Sequence, residues 1–316
     1  MGDLNTLLPT LFGLPGVRAF KERGYFLCKL KTGTLKIQKT NEHPQAIWAR
    51  YRLLKAIEDA GFNFADKLYL SAQEAPFVLL GRETYIMLQH PVGAEPHLDS
   101  ASDLKQAVET IALFHKVSRE IPLHENFRLD AAPALQETIA TDIAFLNKTT
   151  RQIEKNSRLS DFDVLFVKNL DKYLNYINQA AETLGAPAPE HELICHGNLK
   201  EENICLAGGN CHLTNFANTH LGLQLADFAF FLRRVALRSQ KTVPLSELIE
   251  KYNQTNPIPQ EQEKQLTALL TYPWQFIKLT RQYYSKKRGF IPSAILDRIN
   301  ALLTQQESYD QYVNSL

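Results

Sequence analysis

Residues 191–234 constrain the fold of this 316-residue chain more than any other stretch of its sequence. Two strand-like runs, ICLAG and CHLTN, flank Gly208-Gly209, a pattern typical of a β-hairpin. Asparagines stand on either side of this hairpin, at Asn198, Asn203 and Asn215, and the acid Asp227 follows where an apolar, helix-like run begins. The pattern predicts polar side chains held at fixed spacing by a loop, a hairpin and a second loop.

The same spacing is required by the chemistry of phosphoryl transfer. A kinase-like catalytic loop needs an Asp to accept the hydroxyl proton and, five positions later, an Asn to hold Mg²⁺; a second Asp after a hairpin bridges the metal to the phosphates. Here those positions are Asn198, Asn203 and Asn215. Because an amide has no proton-accepting form near neutral pH and Mg²⁺ is usually held by carboxylates, we expect little catalysis and weak metal binding.

Composition favours a soluble globular protein. Hydrophobic residues make up 44% and charged residues 22% of the chain, and a formal net charge of +1 gives no field for nucleic acid or an anionic membrane. The N-terminus lacks the pattern of a signal peptide, and no apolar run has the length of a membrane-spanning helix. We therefore expect a soluble, intracellular protein with reduced cysteines that binds neither nucleic acid nor membrane.

The order of predicted elements indicates an α+β fold with two lobes. A helix is predicted at 43–61, and its surroundings alternate in the manner of an antiparallel β-meander. The predicted strands lie near 17–21, 24–31, 34–39, 76–80 and 83–89.

Residues 90–102, with two prolines and a glycine, have the composition of a hinge, and helices dominate beyond them. Ser102 is expected to cap the first of these helices, and two long helices are predicted within 134–185. We therefore predict a β-rich N-terminal lobe with one helix at 1–90 and a larger helical lobe at 91–316.

These motifs resemble those of a known superfamily. H-G-N-x-x-x-x-N, N-F-A and L-G-L-Q-L-A-D-F-A resemble the H-G-D-x-x-x-x-N, D-F-D and D-L-A motifs of the aminoglycoside phosphotransferases and choline kinases. R-G-Y-F, T-G-T-L-K-I-Q-K and I-A-L-F-H-K-V-S place the chain nearest to the CotS family of spore coat proteins. The resemblance runs from about Val17 onward and implies a two-lobed, protein-kinase-like fold.

The resemblance implies a role for each position of the degenerate loop. Asn198 stands at the position of the catalytic Asp, and Asn203 matches the metal-binding Asn. Asn215 replaces the metal-binding Asp, and Ala217 replaces the second acid of D-F-D. The implied metal site therefore keeps Asn203 and loses its acids.

The resemblance places nucleotide-binding positions at Gln38, Lys36 and Leu88. Gln38 stands where a phosphate-binding Lys is expected. Lys36 lies on the same face of the strand by alternation and is a possible substitute, while a one-residue slip would bring in Lys39 instead. Which lysine, if either, takes the role stays open at this point.

His196 and Asp227 are predicted to be structural residues of the site. We expect His196 to brace the loop by hydrogen bonds, and Asp227 to cap a helix and to accept loop N–H groups.

Two other clusters have a functional and a structural interpretation. The cysteines and histidines of the hairpin region match no known zinc spacing, so buried cysteines are favoured over a metal site. They are Cys195, His196, Cys205, Cys211 and His212. The basic and aromatic residues of 281–290 either contact an anionic partner or form a solvated helix end, and the neutral net charge favours the helix end.

The leading hypothesis is a kinase-like spore coat protein that has lost catalysis and acts through contacts with other coat proteins in a spore-forming bacterium. The alternative is an ATP-dependent phosphotransferase for a hydroxyl of a sugar, an amino alcohol or a similar acceptor. A third is nucleotide binding without transfer. No cofactor is predicted, and ATP and Mg²⁺ are expected only if nucleotide binding survives.

Overall fold

The computed structural model describes a chain of two compact units, with the described residues at 3–133, 135–184, 192–239, 243–284 and 292–314. The first unit comprises Met1–Ala131, Leu193–Gly222 and Glu250–Asn256, and the second comprises Ala132–Glu192, Leu223–Ile249 and Pro257–Leu316. The hairpin region thus belongs to the same unit as the N-terminal strands. The lobe boundary predicted at residue 90 rests on sequence alone and stays a prediction.

An antiparallel sheet dominates the N-terminal part of the first unit. Neighbouring strands follow the order β1-β2-β3-β6-β4, and β5 pairs with β6. The strands are β1 (Phe20–Lys21), β2 (Tyr25–Leu30), β3 (Gly33–Thr40), β4 (Leu68–Tyr69), β5 (Val78–Leu80) and β6 (Glu83–Gln89). The predicted meander is confirmed, whereas β4 was not predicted because two residues are too few to show alternation.

The two faces of the sheet differ in burial. Along β3, Leu35 and Ile37 are buried, while Lys36 and Gln38 point to the opposite, half-buried face. The buried face joins a hydrophobic cluster with β2 and β6. Alternation therefore keeps both candidate nucleotide-binding side chains out of the apolar core.

The hydrophobic cluster also takes up a helix that the sequence did not predict. Helix α1 (Leu4–Leu11) is capped by Asp3 and contributes the fully buried Leu8, with Phe12 immediately after it. Its eight residues include Pro9, which is unusual within a helix. So short a helix carries too little periodicity to be recognised from sequence.

Helices α2 (Pro44–Asp59) and α3 (Ala101–Ser118) follow the predicted pattern closely. Helix α2 has Pro44 at its first position and buries one apolar face, as the spacing within 43–61 predicted. Helix α3 is capped by Ser100, whose Oγ accepts the N–H of Asp103 at 3.3 Å. The cap is therefore two residues earlier than the predicted Ser102.

Four short strands belong to the hairpin region of the first unit. Strand β7 (Leu193–Cys195) pairs with β10 (His220–Gly222), and β8 (Ile204–Ala207) pairs with β9 (Asn210–Leu213), both antiparallel. Gly208 and Gly209 have φ values of 57° and 81°, the backbone that a two-residue hairpin of this type requires. The predicted hairpin is confirmed.

The second unit is helical where the structure describes it. Its helices are α4 (Leu135–Ile153), α5 (Asp161–Leu184), α6 (Gln224–Arg238), the start of α7 (Leu245–Thr255), α8 (Gln260–Thr271), α9 (Trp274–Tyr284) and α10 (Pro292–Asn314). Helices α4 and α5 are the two long helices predicted within 134–185. Across the described ranges, no helix combines the length and apolarity needed to cross a bilayer.

A buried polar cluster ties helices of the second unit together. The Asp142 carboxylate is 5% exposed and accepts hydrogen bonds from the Tyr272 hydroxyl and from Nη2 of Arg281, each at 2.6 Å. These three residues, called the Asp142 cluster below, come from α4, from the residue after α8 and from α9. Both carboxylate oxygens are engaged.

Candidate functional site

The first loop of the site begins where β7 ends and is organised by His196. This side chain is fully buried; its Nδ1 accepts the N–H of Asn198 at 3.3 Å, and its Nε2 lies 2.9 Å from the carbonyl oxygen of Thr214. Because Nδ1 accepts, the proton is on Nε2, which donates to Thr214. His196 thus connects the loop before the hairpin to the chain after it, through the bracing hydrogen bonds that the sequence predicted.

Gly197 is required by both its backbone and its surroundings. Its φ is +75°, and a Cβ at this position would lie 2.2 Å from the carbonyl oxygen of Asn218 and 2.7 Å from Nδ1 of His220. Only glycine fits such a close approach without displacing the neighbouring chain. The H-G-N motif therefore has a structural basis in this fold.

The structure brings the three asparagines of the motif together in one chain of hydrogen bonds. The Asn203 amide donates from Nδ2 to the carbonyl oxygen of Asn198 at 2.8 Å, and Nδ2 of Asn215 donates to Oδ1 of Asn203 at 3.2 Å. The side-chain oxygen implied as a metal ligand at Asn203 is thus already engaged by the neighbouring amide. Three predicted positions meet, but they bond to one another.

Asn215 has a backbone that suits asparagine, with φ 66° and ψ 57° in the left-handed region. It precedes a short 3-10 helix, Phe216–Asn218, in which Phe216 is buried and Ala217 is exposed. The N–H groups of Asn215 and Phe216 point towards one carboxylate, that of Asp66, at 2.6 and 3.4 Å.

Asp66 is a residue of the site that the sequence did not predict. It lies in the loop between α2 and β4, 149 positions before Asn215. Burial raises the pKa of its carboxyl group, while the N–H of Asn215 and the positive charges of Arg50 and Lys36 act in the opposite direction. No local motif surrounds this acid, so only the fold reveals its position.

A cavity of about 430 Å³ opens beside this carboxylate, within the first unit. Its lining includes the predicted positions Lys36, Gln38, Leu88, Asn203 and Asn215, together with Asp66 and Arg50. The predicted nucleotide-binding and metal-binding positions therefore face one space. Asn198 and His196 support this lining from behind through their hydrogen bonds.

Lys36, not Lys39, is the lysine of β3 that faces the cavity. Its ammonium lies 5.6 Å from the centre of the Tyr25 ring, and burial lowers the pKa of Lys36. Lys39 is half-exposed and forms an ion pair with Glu83. The geometry therefore favours Lys36 over the one-residue slip as the cation of this site.

Arg50 of helix α2 is a second cation that the sequence did not single out. Its side chain is 10% exposed and pairs through Nη1 with Glu42 at 3.1 Å. Among the described residues, its Nε and Nη2 atoms are buried without a hydrogen-bond partner. A buried donor left unsatisfied is uncommon in folded proteins and marks a place where a ligand or a movement has an effect.

The donor set does not fit Mg²⁺. Mg²⁺ is usually held through one or two carboxylates, and the implied ligand positions, Asn203 and Asn215, offer neutral amides that bond to each other. Asp66 supplies a carboxylate, but that carboxylate accepts two backbone N–H groups and faces two cations.

Two further predictions concern residues beyond the cavity. Asp227 is buried in the first turn of α6, in the second unit, but the N-cap of that helix is Leu223, so the prediction that Asp227 caps the helix is wrong. An acid in the first turn still favours the helix dipole. Residues 285–290 of the basic and aromatic segment lie outside the described residues.

The cysteines of the hairpin region are ordinary half-buried or buried thiols. Cys195 and Cys211 are buried and Cys205 is half-buried, and burial raises the pKa of Cys211 to about 11. Within the described ranges, no three His, Cys, Asp or Glu side chains are grouped in a way that could hold a metal ion. The geometry gives the zinc interpretation no support.

Comparison with known proteins gives a family match over most of the chain. The family model described as "Spore coat putative kinase YutH" matches residues 6–316, which confirms the resemblance inferred from the loop motifs. None of the curated proteins is significantly similar in sequence.

Solved structures with the same fold include phosphotransferases and kinases of small molecules. An aminoglycoside phosphotransferase from Alicyclobacillus acidocaldarius has a TM-score of 0.79 at 16% identity, covering 94% of this chain and 90% of its own. A spectinomycin phosphotransferase with ADP and spectinomycin has 0.67 at 10%, covering 99% and 98%. A microcompartment-associated aminopropanol kinase has 0.62 at 13%, covering 96% and 92%. At these identities the likeness shows the fold alone, and it confirms the predicted kinase-like architecture.

Proposed function

Because the chain belongs to the family described as "Spore coat putative kinase YutH", we propose that it is a kinase-like coat protein that acts through protein contacts and not through phosphoryl transfer. The observation that carries the proposal is the hydrogen bond between Nδ2 of Asn215 and Oδ1 of Asn203. It joins two positions that would have to ligate a metal ion together. With Asn198 at the position of the base and Asn215 at that of the metal-binding acid, the motif supplies neither a proton acceptor nor a carboxylate to hold a metal ion against the phosphates.

The competing function is a working small-molecule phosphotransferase. It is favoured by Lys36 and Asn203, which line one cavity in a fold shared with kinases of small molecules. The two functions differ in one measurable respect, because a phosphotransferase needs turnover that depends on Asn203.

The test is ATP turnover by the purified chain with Mg²⁺ and with Mn²⁺, in wild type and in Asn203→Ala. We expect any residual turnover to be the same in both proteins. The exposed Asn210, on strand β9, provides the matched control Asn210→Ala. Turnover lost in Asn203→Ala and kept in Asn210→Ala, with both variants folded, would mean that the chain is an enzyme.

A second test addresses the protein contacts. In sporulating cells, a fluorescent fusion of the chain is expected to accumulate at the spore coat, and Asn203→Ala is expected to accumulate there equally. Deposition that fails in the folded Asn203→Ala variant would tie the role in the coat to the cavity and contradict a role through contacts elsewhere on the surface.

A further inference from the structure

Asp66 holds the loop after the hairpin from a different part of the chain. One oxygen, Oδ2, accepts the N–H of Asn215 at 2.6 Å and the N–H of Phe216 at 3.4 Å. Two successive backbone N–H groups pointing at one oxygen form an arrangement that proteins use to bind anions. In this chain the anion at that place belongs to the protein itself.

The cations of the cavity act on the same carboxylate. Lys36 comes from β3 and Arg50 from α2, and both line the cavity beside Asp66. Their positive charges favour the ionised form of Asp66, against the effect of its burial. Arg50 also pairs through Nη1 with Glu42 at 3.1 Å, so part of its charge is balanced by a second acid of the protein.

A phosphate group entering this cavity would need the same cations and backbone N–H groups. It would meet the negative charge of Asp66 at close range, and like charges in a partly buried site repel strongly. The acids Glu95 and Glu202 also line the cavity and add to this repulsion. The positive charge of Lys36 and Arg50 is therefore already used within the protein.

We propose that Asp66 is a built-in anion that takes the place of a bound phosphate, neutralising Lys36 and Arg50 and fixing the Asn215–Phe216 backbone without nucleotide or metal. The proposal rests on the proposed function, because only a coat protein without catalysis can do without ATP in this cavity. One carboxylate thus both keeps phosphates out of the cavity and holds the loop at Asn215 and Phe216 in place.

The test replaces the charge and keeps the shape. In Asp66→Asn the side-chain oxygen still accepts the two N–H groups, while Lys36 and Arg50 lose their internal counter-charge. Inorganic phosphate and ATP, each with EDTA, are titrated by calorimetry and by thermal shift into the full chain. We expect no binding to wild type at millimolar ligand, and binding to Asp66→Asn that is tighter by about tenfold or more.

Three further variants complete the experiment. Adding Arg50→Gln to Asp66→Asn is expected to abolish the gained binding, because it removes the positive charge and most of the N–H donors of the guanidinium that would meet phosphate. Glu58→Gln removes one negative charge from α2, the helix that carries Arg50, at a half-buried residue paired with Lys55 and Lys67, and is expected to bind no phosphate. Asp66→Ser is a second neutral variant for the case in which Asp66→Asn does not fold.

The outcomes separate the inference from the proposed function. Phosphate binding to wild type as tight as to Asp66→Asn, no gain in either neutral variant, or an equal gain in Glu58→Gln would each overturn the role of Asp66. None of these results depends on catalysis, since EDTA removes divalent metal. Turnover that depends on Asn203 would instead contradict the proposed function and leave the binding comparison intact.

Discussion

The Asp66 cavity in the first unit and the Asp142 cluster in the second each centre on one carboxylate, but their partners differ. Asp142 accepts a phenol and a guanidinium at 2.6 Å through its two oxygens. Asp66 accepts two backbone N–H groups through one oxygen, beside a cavity of about 430 Å³. The first arrangement is saturated and serves to hold helices together. The arrangement around Asp66 leaves one carboxylate oxygen without a backbone N–H donor from the described residues and lies beside an open space.

The arginines of the two regions differ in the same way. Arg281 donates to Asp142 and lies over the Phe145 ring, with 4.3 Å between the guanidinium carbon and the ring centre. Arg50 uses Nη1 for Glu42, while its Nε and Nη2 have no hydrogen-bond partner among the described residues. Arg281 is therefore engaged by the carboxylate it faces, whereas Arg50 keeps two buried donor atoms beside the cavity that no described residue accepts.

The largest effect is expected from Asp142→Ala in the second unit. It removes the acceptor of the buried Tyr272 hydroxyl and one carboxylate partner of Arg281, so we expect a loss of about 3 kcal/mol in the free energy of unfolding. Urea denaturation measures this loss. The control is Asp171→Ala, at an exposed position of α5, which is expected to change stability by less than about 0.5 kcal/mol.

A similar small loss in both variants would show that the Asp142 cluster does not hold the second unit together. Asp142 would then no longer serve as the example of a carboxylate whose hydrogen bonds stabilise the fold.

The next effect concerns the loop that supports the cavity. Gly197→Ala adds a Cβ at φ +75° that would lie 2.2 Å from the carbonyl oxygen of Asn218, whereas Gly208→Ala adds one at φ +57° with no neighbour within 4 Å. Left-handed backbone alone destabilises a non-glycine residue by about 1–2 kcal/mol. We expect Gly197→Ala to lose about 2 kcal/mol more than Gly208→Ala in thermal unfolding, because only the first involves a clash.

Equal losses at the two glycines would mean that the neighbouring chain at Asn218 moves easily. The loop would then be soft, and His196 would not be holding it in one conformation.

The same contrast between local and distant information decides what the sequence could predict. Alternation along β3 correctly placed Lys36 and Gln38 on one face, and Gly208-Gly209 marked the hairpin, since both are effects of neighbouring residues. Helix α1 was too short and too irregular to show a period. The elements that the sequence did not predict, α1 and β4, are therefore the ones with a weak local signal.

The site divides in the same way. Asn198, Asn203 and Asn215 were found because their spacing follows from the local loop and hairpin, and they do meet in space. Asp66 lies 149 positions from its partner, and Arg50 looks like any charged residue on an amphipathic helix. A charged residue whose role depends on contacts distant in sequence has no local motif by which one sequence could reveal it.

A smaller effect is expected from restoring the acids of the first region. In the double variant Asn198→Asp and Asn215→Asp, carboxylates return to the positions of the base and of the metal ligand. Bound Mg²⁺ would then offset the repulsion between Asp66 and the phosphates, so ATP should bind with Mg²⁺ but not with EDTA. At ATP tenfold above Kd, binding stabilises the native state by about 1.4 kcal/mol, which a thermal-shift titration detects. Wild type is the control. If ATP with Mg²⁺ produces no thermal shift in the double variant, residues of the cavity other than these two acids must also prevent nucleotide binding.

The smallest effect on the free energy of unfolding is expected when the Asp66 carboxylate is replaced by its isosteric amide, and the same change at Asp142 provides the comparison. In Asp66→Asn, the amide oxygen still accepts the N–H groups of Asn215 and Phe216, so we expect stability to change by less than about 1 kcal/mol. In Asp142→Asn, one of the two oxygens becomes a donor facing either Tyr272 or Arg281, so the loss should be clearly larger. Urea denaturation of both variants under one set of conditions measures the difference. An equal loss of stability in Asp66→Asn and Asp142→Asn would mean that the negative charge of Asp66 also stabilises the fold. The two carboxylates would then have the same structural role.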